Sequence, residues 1–127
     1  MGMPPLARVR RFAPPLVLMA VIFFFSHQPS LDSGLGSIDL IGRKIVHFLE
    51  YALLSFLLWR ALEPDLGARR AALVAFLVSS AYAATDEFHQ TFIEGRRGSP
   101  LDWAIDTAGA AAATLHLRHR GRAGAAA

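Results

Sequence analysis

Residues 17–25 and 73–84 carry no charged side chain at any position, and this constrains the fold more than any other feature of the chain. A helix in a soluble bundle alternates apolar and charged faces at 3.6-residue spacing. These stretches instead call for apolar surroundings on every side, from lipid and from other helices. They belong to four apolar blocks, residues 12–25, 45–62, 71–84 and 101–117, with polar punctuation between them. A bilayer core about 30 Å thick takes about 20 helical residues. Blocks of this length therefore span it when their polar flanks continue the helix into the headgroup layer. Composition agrees: 54% of the 127 residues are hydrophobic and 18% charged, which excludes intrinsic disorder. The length suits one domain of ordinary size and not two. With no cysteine there is no disulfide framework, thiolate metal site or thiol nucleophile.

Local signals set the expected helix ends. Pro14 and Pro15 suit a first helical turn, where a missing N–H costs little. Glu63-Pro64-Asp65-Leu66-Gly67 is a turn cluster before which the second helix ends. Ser99-Pro100-Leu101-Asp102 reads as an N-cap serine, proline at the first helical position and an acidic residue three after the cap. Orientation follows from the basic residues. Arg8, Arg10, Arg11, Arg60, Arg69, Arg70, Arg118, Arg120 and Arg122 fall on one side, and Arg43, Lys44, Arg96 and Arg97 on the other. By the positive-inside rule both termini are cytoplasmic. The first block resembles a secretory signal, but no small-x-small cleavage site follows Phe25, so it reads as a retained signal-anchor helix. The expected fold is an all-α membrane protein with four transmembrane helices in a domain over residues 12–117. Residues 1–11 and 118–127 form basic cytoplasmic tails.

This topology also redistributes the charge. A net +3 and a sequence pI near 10.2 suggest a nucleic-acid partner. Sorted by side, the inner surface sums to +7 and the outer to −4. Asp32, Asp39, Glu50, Asp86, Glu87, Glu94, Asp102 and Asp106 all fall outside or near outer helix ends. A nucleic-acid partner thereby loses its rationale.

The outer end collects the chemistry. At about 100° per residue, Lys44, His47, Glu50 and Tyr51 share an arc of roughly 120°, with Glu50 about 9 Å deeper than Lys44. Lys44 is the only lysine; at a helix entrance it either snorkels to headgroups or joins a site. Glu50 needs a cationic partner, a proton or a wet pocket. In the third block Asp86, His89 and Gln90 share one face, with Glu87 beside them, and four polar residues in five cannot all face lipid. In the fourth, Ser99, Asp102 and Asp106 lie on one stripe that Gly109, Ala110 and Ala113 continue inward. Small residues permit close backbone approach, so this is the expected packing face. Arg96 and Arg97 lie in the connecting turn, where they either pair with Asp86, Asp102 or Asp106 or bind an anionic headgroup or phosphate. Ser26, His27 and Gln28 precede a loop over residues 30–42.

Ser26-His27-Gln28-Pro29, Lys44 with His47 and Tyr51, Asp86-Glu87-x-His89-Gln90, Gly95-Arg96, Ser99, Asp102 and Asp106-Thr107-x-Gly109 together resemble the VanZ-like family of small bacterial integral membrane proteins. The resemblance covers about residues 12–115 and rests on order and spacing across four hydrophobic segments. It implies a place in the bacterial cytoplasmic membrane and a link to the low-level teicoplanin resistance given by the member for which the family is named; no biochemical activity comes with it. Family members often have Asn where this chain has Asp106, and Pro where it has Glu94, so this chain adds a charge inside the bundle.

Three functions fit these residues. The first is binding or remodelling of an anionic, lipid-linked envelope component at an outer-leaflet pocket. That pocket comprises Lys44, His47, Glu50, Tyr51, Asp86, Glu87, His89, Gln90, Arg96, Ser99, Asp102 and Asp106. The second is metal-dependent hydrolysis or transfer on a lipid headgroup, with His47, Glu50, Asp86 and His89 as candidate ligands and Asp102 or Asp106 as base or further ligand. No catalytic signature supports it, and no cofactor is assigned. The third is proton-coupled transport through Glu50 and the outer acids, which finds no acidic residue in the inner half of any segment and would need the four short helices to self-associate. Scaffolding by ion pairs alone is the residual alternative. Membrane lipid is the partner common to all of them.

Overall fold

The computed structural model describes residues 4–26, 37–90 and 100–126. Four helices follow one another: α1 (Pro5–Ser26), α2 (Ser37–Leu66), α3 (Ala68–Gln90) and α4 (Pro100–Ala126). Two helical segments, Ile41–Leu66 and Ala68–His89, are long and apolar enough to cross a membrane. Only 28% and 39% of their most apolar stretches is buried inside the bundle. The core helix of a soluble protein would be mostly buried; here Leu49, Leu53, Leu73 and Leu77 project outward instead. α1 falls short because its uncharged part, residues 12–26, makes about 22 Å of helix at 1.5 Å per residue. α4 falls short because alanine, its commonest residue, adds little hydropathy to offset Asp102 and Asp106.

Four helix ends differ from the sequence expectation, three of them for a local reason. α1 starts at Pro5, where the Pro4 carbonyl accepts from the Arg8 N–H at 3.2 Å. The proline-first rule therefore operates at Pro5, and Pro14 and Pro15 lie in the helix interior, with Pro15 fully buried. Arg11 helps to hold this extension: its guanidinium donates to the Ala61 carbonyl and to Asp65 Oδ2, the latter at 3.1 Å. α2 starts at Ser37, so residues 37–42 of the expected loop are helical and Lys44 sits two turns inside. α2 also runs through Pro64 to Leu66, which narrows the turn cluster to Gly67 alone. Gly67 has φ +81°, a conformation glycine adopts without steric cost. Its N–H donates to the Glu63 carbonyl at 2.8 Å, the αL termination of α2, and its carbonyl accepts from Ala71 N–H at 2.9 Å to begin α3. One residue thus closes one helix and opens the next, and Trp59 Nε1 straps the turn by donating to the Ala68 carbonyl at 3.1 Å. α4 begins at Pro100, continues through residues 118–126, and has its expected Ser99 cap outside the described residues.

α2, α3 and α4 pack mutually, and α1 lies along α2, touches α3 and does not reach α4 among the described residues. Paired side chains give the directions. Arg11 meets Asp65 while Phe23 meets His89, so α1 runs against α2 and with α3. Ser80 meets Thr107, and Phe48 lies against Gly109. The four helices therefore alternate in direction, and the start of α1 and the end of α4 share one end of the bundle. The core comprises Ile22, Tyr51, Leu54, Leu58, Ala75 and Ala83. Ala71, Ala72, Gly109 and Ala110 keep the backbones close, as small residues do in packed helices of membrane proteins.

Candidate functional site

The helix directions bring the start of α2, the end of α3 and the start of α4 to one end of the bundle, and polar side chains meet there. His47 and Glu50 are one turn apart on α2, and His47 Nδ1 lies 3.8 Å from Glu50 Oε2. From the facing helix Asp106 Oδ1 lies 3.6 Å from the same nitrogen. Parallel packing of α2 and α4 makes this meeting possible. A Cβ built on Gly109 would overlap the Phe48 carbonyl oxygen and lie 3.0 Å from its carbonyl carbon, so the helices approach as closely as backbones allow one turn from the His47–Asp106 pair.

Burial divides the cluster into an inner and an outer layer. Asp106 is 0% exposed and Asp86 2%, whereas the side chains of His47 and Glu50 are 21% and 25% exposed. Carboxylates so deep among apolar helices are retained only with charged or hydrogen-bonding neighbours. Asp86 is in electrostatic range of Glu50, Tyr51 and Tyr82. Tyr51 is fully buried, and its hydroxyl has no hydrogen-bond partner among the described residues. The imidazole thus lies between the half-buried Glu50 and the buried Asp106, with the Tyr51 phenol and Asp86 as its deeper neighbours. Lys44 lies one turn toward the helix start, half-buried.

Not every expected member joins. His89 stacks edge-on against Phe23 of α1, ring centroids 5.9 Å apart. Glu87 is buried at 7% exposure and lies seven residues from Ser80, hence on the side that meets α4 through Ser80 and Thr107. Arg96 and Ser99 lie outside the described residues, as do His27 and Gln28; the side chains of Ser26, Gln90 and Asp102 do too. Among the described residues no three His, Asp or Glu side chains converge as a metal site.

Other members, Thr107 of the Asp106-Thr107-x-Gly109 run apart, were not singled out from sequence. Tyr82 packs against Tyr51, centroids 6.4 Å apart, and its hydroxyl donates to the Met19 carbonyl. The chain has two tyrosines in all, and Tyr82 precedes Asp86 by one turn; that pairing was the available signal. Ser55 Oγ donates to Ser79 Oγ at 2.8 Å directly below. Trp103 Nε1 donates to the Ser80 carbonyl at 3.1 Å, and Ser80 and Thr107 share a 3.1 Å hydrogen bond. Serine and threonine in apolar helices give little sequence signal because their hydroxyls also bond back to their own helix.

A family model, VanZ/LLP1, matches residues 12–119 of the chain. The chain belongs to the VanZ/LLP1 family. Comparison with curated proteins and with solved structures gives no match. The match takes in every described residue of the site, from Phe23 through His47 and Asp86 to Asp106. Family membership and the two long apolar helices together mark a VanZ-like membrane protein.

Proposed function

We propose that this VanZ-like protein crosses the bacterial cytoplasmic membrane four times with both termini inside, and that its outer polar cluster binds or remodels an anionic, lipid-linked component of the cell envelope. The observation that carries the reading is His47, held between Glu50 and Asp106 and one-fifth exposed at the mouth of buried carboxylates. Two acids facing one imidazole orient it. A partly exposed imidazole then faces the membrane surface, with the cationic Lys44 one turn beyond it. The buried Tyr51 hydroxyl supplies a further donor beneath. These groups suit a phosphate or another anionic headgroup, while the exposed apolar helix faces suit its lipid tail.

The alternating helix directions support an even number of crossings, and the nine inner basic residues support the orientation. The helix-to-helix polar contacts of the column end at Ser55 and Ser79; below them Leu58, Ala61, Ala72 and Ala75 close the core, and the Thr114 hydroxyl bonds within its own helix. This favours a site at one membrane face over a transport path. The family resemblance extends the proposal to glycopeptide susceptibility.

The test is lipid analysis of the purified protein. Wild type retains an anionic envelope lipid that Lys44→Ala and Arg96→Ala lose; unchanged retention in both removes the basis of the reading. Expression in a susceptible host raises the teicoplanin concentration needed to inhibit growth, and His47→Ala abolishes that rise.

A further inference from the structure

A second feature lies at the opposite end of the bundle, next to the α2–α3 turn. α3 and α4 diverge there to leave a groove of about 480 Å³, walled by Leu73, Phe76, Ala111 and Leu115 and flanked by Arg69 and Arg70. This is within the range of about 300–1,000 Å³ typical of small-molecule sites. Thr114 supplies the one hydroxyl of the wall, and it bonds to the Ala110 and Ala111 carbonyls at 3.0 and 3.2 Å. Below the guanidiniums the lining side chains therefore present no unused polar group. Arg69 and Arg70 are exposed and form no ion pair among the described residues, whereas Arg11, on the same end, is matched by Asp65 at 3.1 Å.

We infer that this groove binds one anionic phospholipid, its phosphate between Arg69 and Arg70 and an acyl chain along Leu73, Phe76 and Leu115. Charge complementarity selects the occupant. Two guanidiniums without acidic partners at the rim of an apolar slot attract a phosphate with a hydrocarbon tail, and the slot offers nothing to a soluble anion beyond its rim. A basic pocket between membrane helices on the cytoplasmic side is suited to such a headgroup. The inference shares with the preceding proposal the placement and orientation of the bundle in a membrane; it uses none of the outer residues.

The test uses the full-length protein in phosphatidylcholine nanodiscs, titrated with phosphatidylglycerol and read by native mass spectrometry. Wild type retains one phosphatidylglycerol saturably. Arg69→Gln and Arg70→Gln each weaken retention about fivefold, and together about 25-fold. Both arginines are exposed, so these variants keep the wild-type helical content. Ala111→Phe fills the groove and displaces the lipid with both arginines in place. Lys44→Ala leaves this retention unchanged, which separates a failure here from a failure of the outer site. Equal retention in the double arginine variant overturns the inference. So does equal retention of phosphatidylcholine in the groove, competition by inorganic phosphate alone, or a dimer that Ala111→Phe dissociates.

Discussion

Replacing Gly109 by alanine tests the packing that creates the outer cluster. In an ordinary helix interior Gly→Ala stabilises by about 1 kcal/mol, because glycine loses more backbone freedom on folding. At Gly109 the added carbon would overlap the Phe48 carbonyl oxygen and lie 3.0 Å from its carbonyl carbon and 3.2 Å from its Cα. All three are backbone atoms of a helix, so no side-chain rotation relieves the overlap and α4 must move away from α2. Overpacking of this kind, backbone shifts included, costs typically about 1–3 kcal/mol. We expect a net loss of up to about 2 kcal/mol after the propensity gain. Scaled as for globular domains of similar length, this lowers the melting temperature in detergent by up to roughly 8 °C. The internal control is Gly42→Ala, also within α2 but with nothing within 4 Å of its added carbon. That variant should gain about 0.4–1 kcal/mol. Opposite shifts in the two variants are the expected result, and a Gly109→Ala protein that melts at or above wild type refutes the close approach of α2 and α4. The same separation lengthens the 3.6 Å contact between His47 and Asp106, so Gly109→Ala should also lower retention of the outer-site lipid.

Gly67→Ala forces an L side chain into φ +81° and should destabilise by about 1–2 kcal/mol, seen as a lower melting temperature; Gly67→Asn should cost less. Ser55→Ala leaves Ser79 with a buried hydroxyl lacking its 2.8 Å partner, a loss of about 1–3 kcal/mol, whereas Ser55→Ala with Ser79→Ala should cost less than the sum of the two. Because the chain has no cysteine, single cysteines report topology directly. One at Gly2 or Ala125 should react with an impermeant maleimide only after permeabilisation, and one at Gly34 in intact cells. Labelling of Gly2 and Gly34 from the same side would remove the first crossing.

Charge-free stretches and their punctuation made the four helices legible in the sequence, together with the polar end that gathers His47, Glu50, Asp86 and Asp106. Those properties are local: hydropathy and the 100° helical repeat act within one segment and need no partner. Helix ends were legible only in part. Sequence places proline at a first turn but not which proline, and Pro14 and Pro15 lie inside α1 because Arg11, four residues on from Ala7, is anchored on α2 by Ala61 and Asp65.

Which polar residues meet was a matter for the tertiary structure. On one helix wheel Asp86 and His89 share a face, yet Asp86 is buried among α2 residues while His89 packs on Phe23 of α1. A helix face about 100° wide is broad enough to serve two neighbours, and only the positions of those neighbours assign each side chain. The pairing of His47 with Asp106 depends in the same way on Gly109, whose missing Cβ lets two backbones come close enough for the side chains to reach. A sequence identifies glycine as small; it does not say which carbonyl will occupy the space.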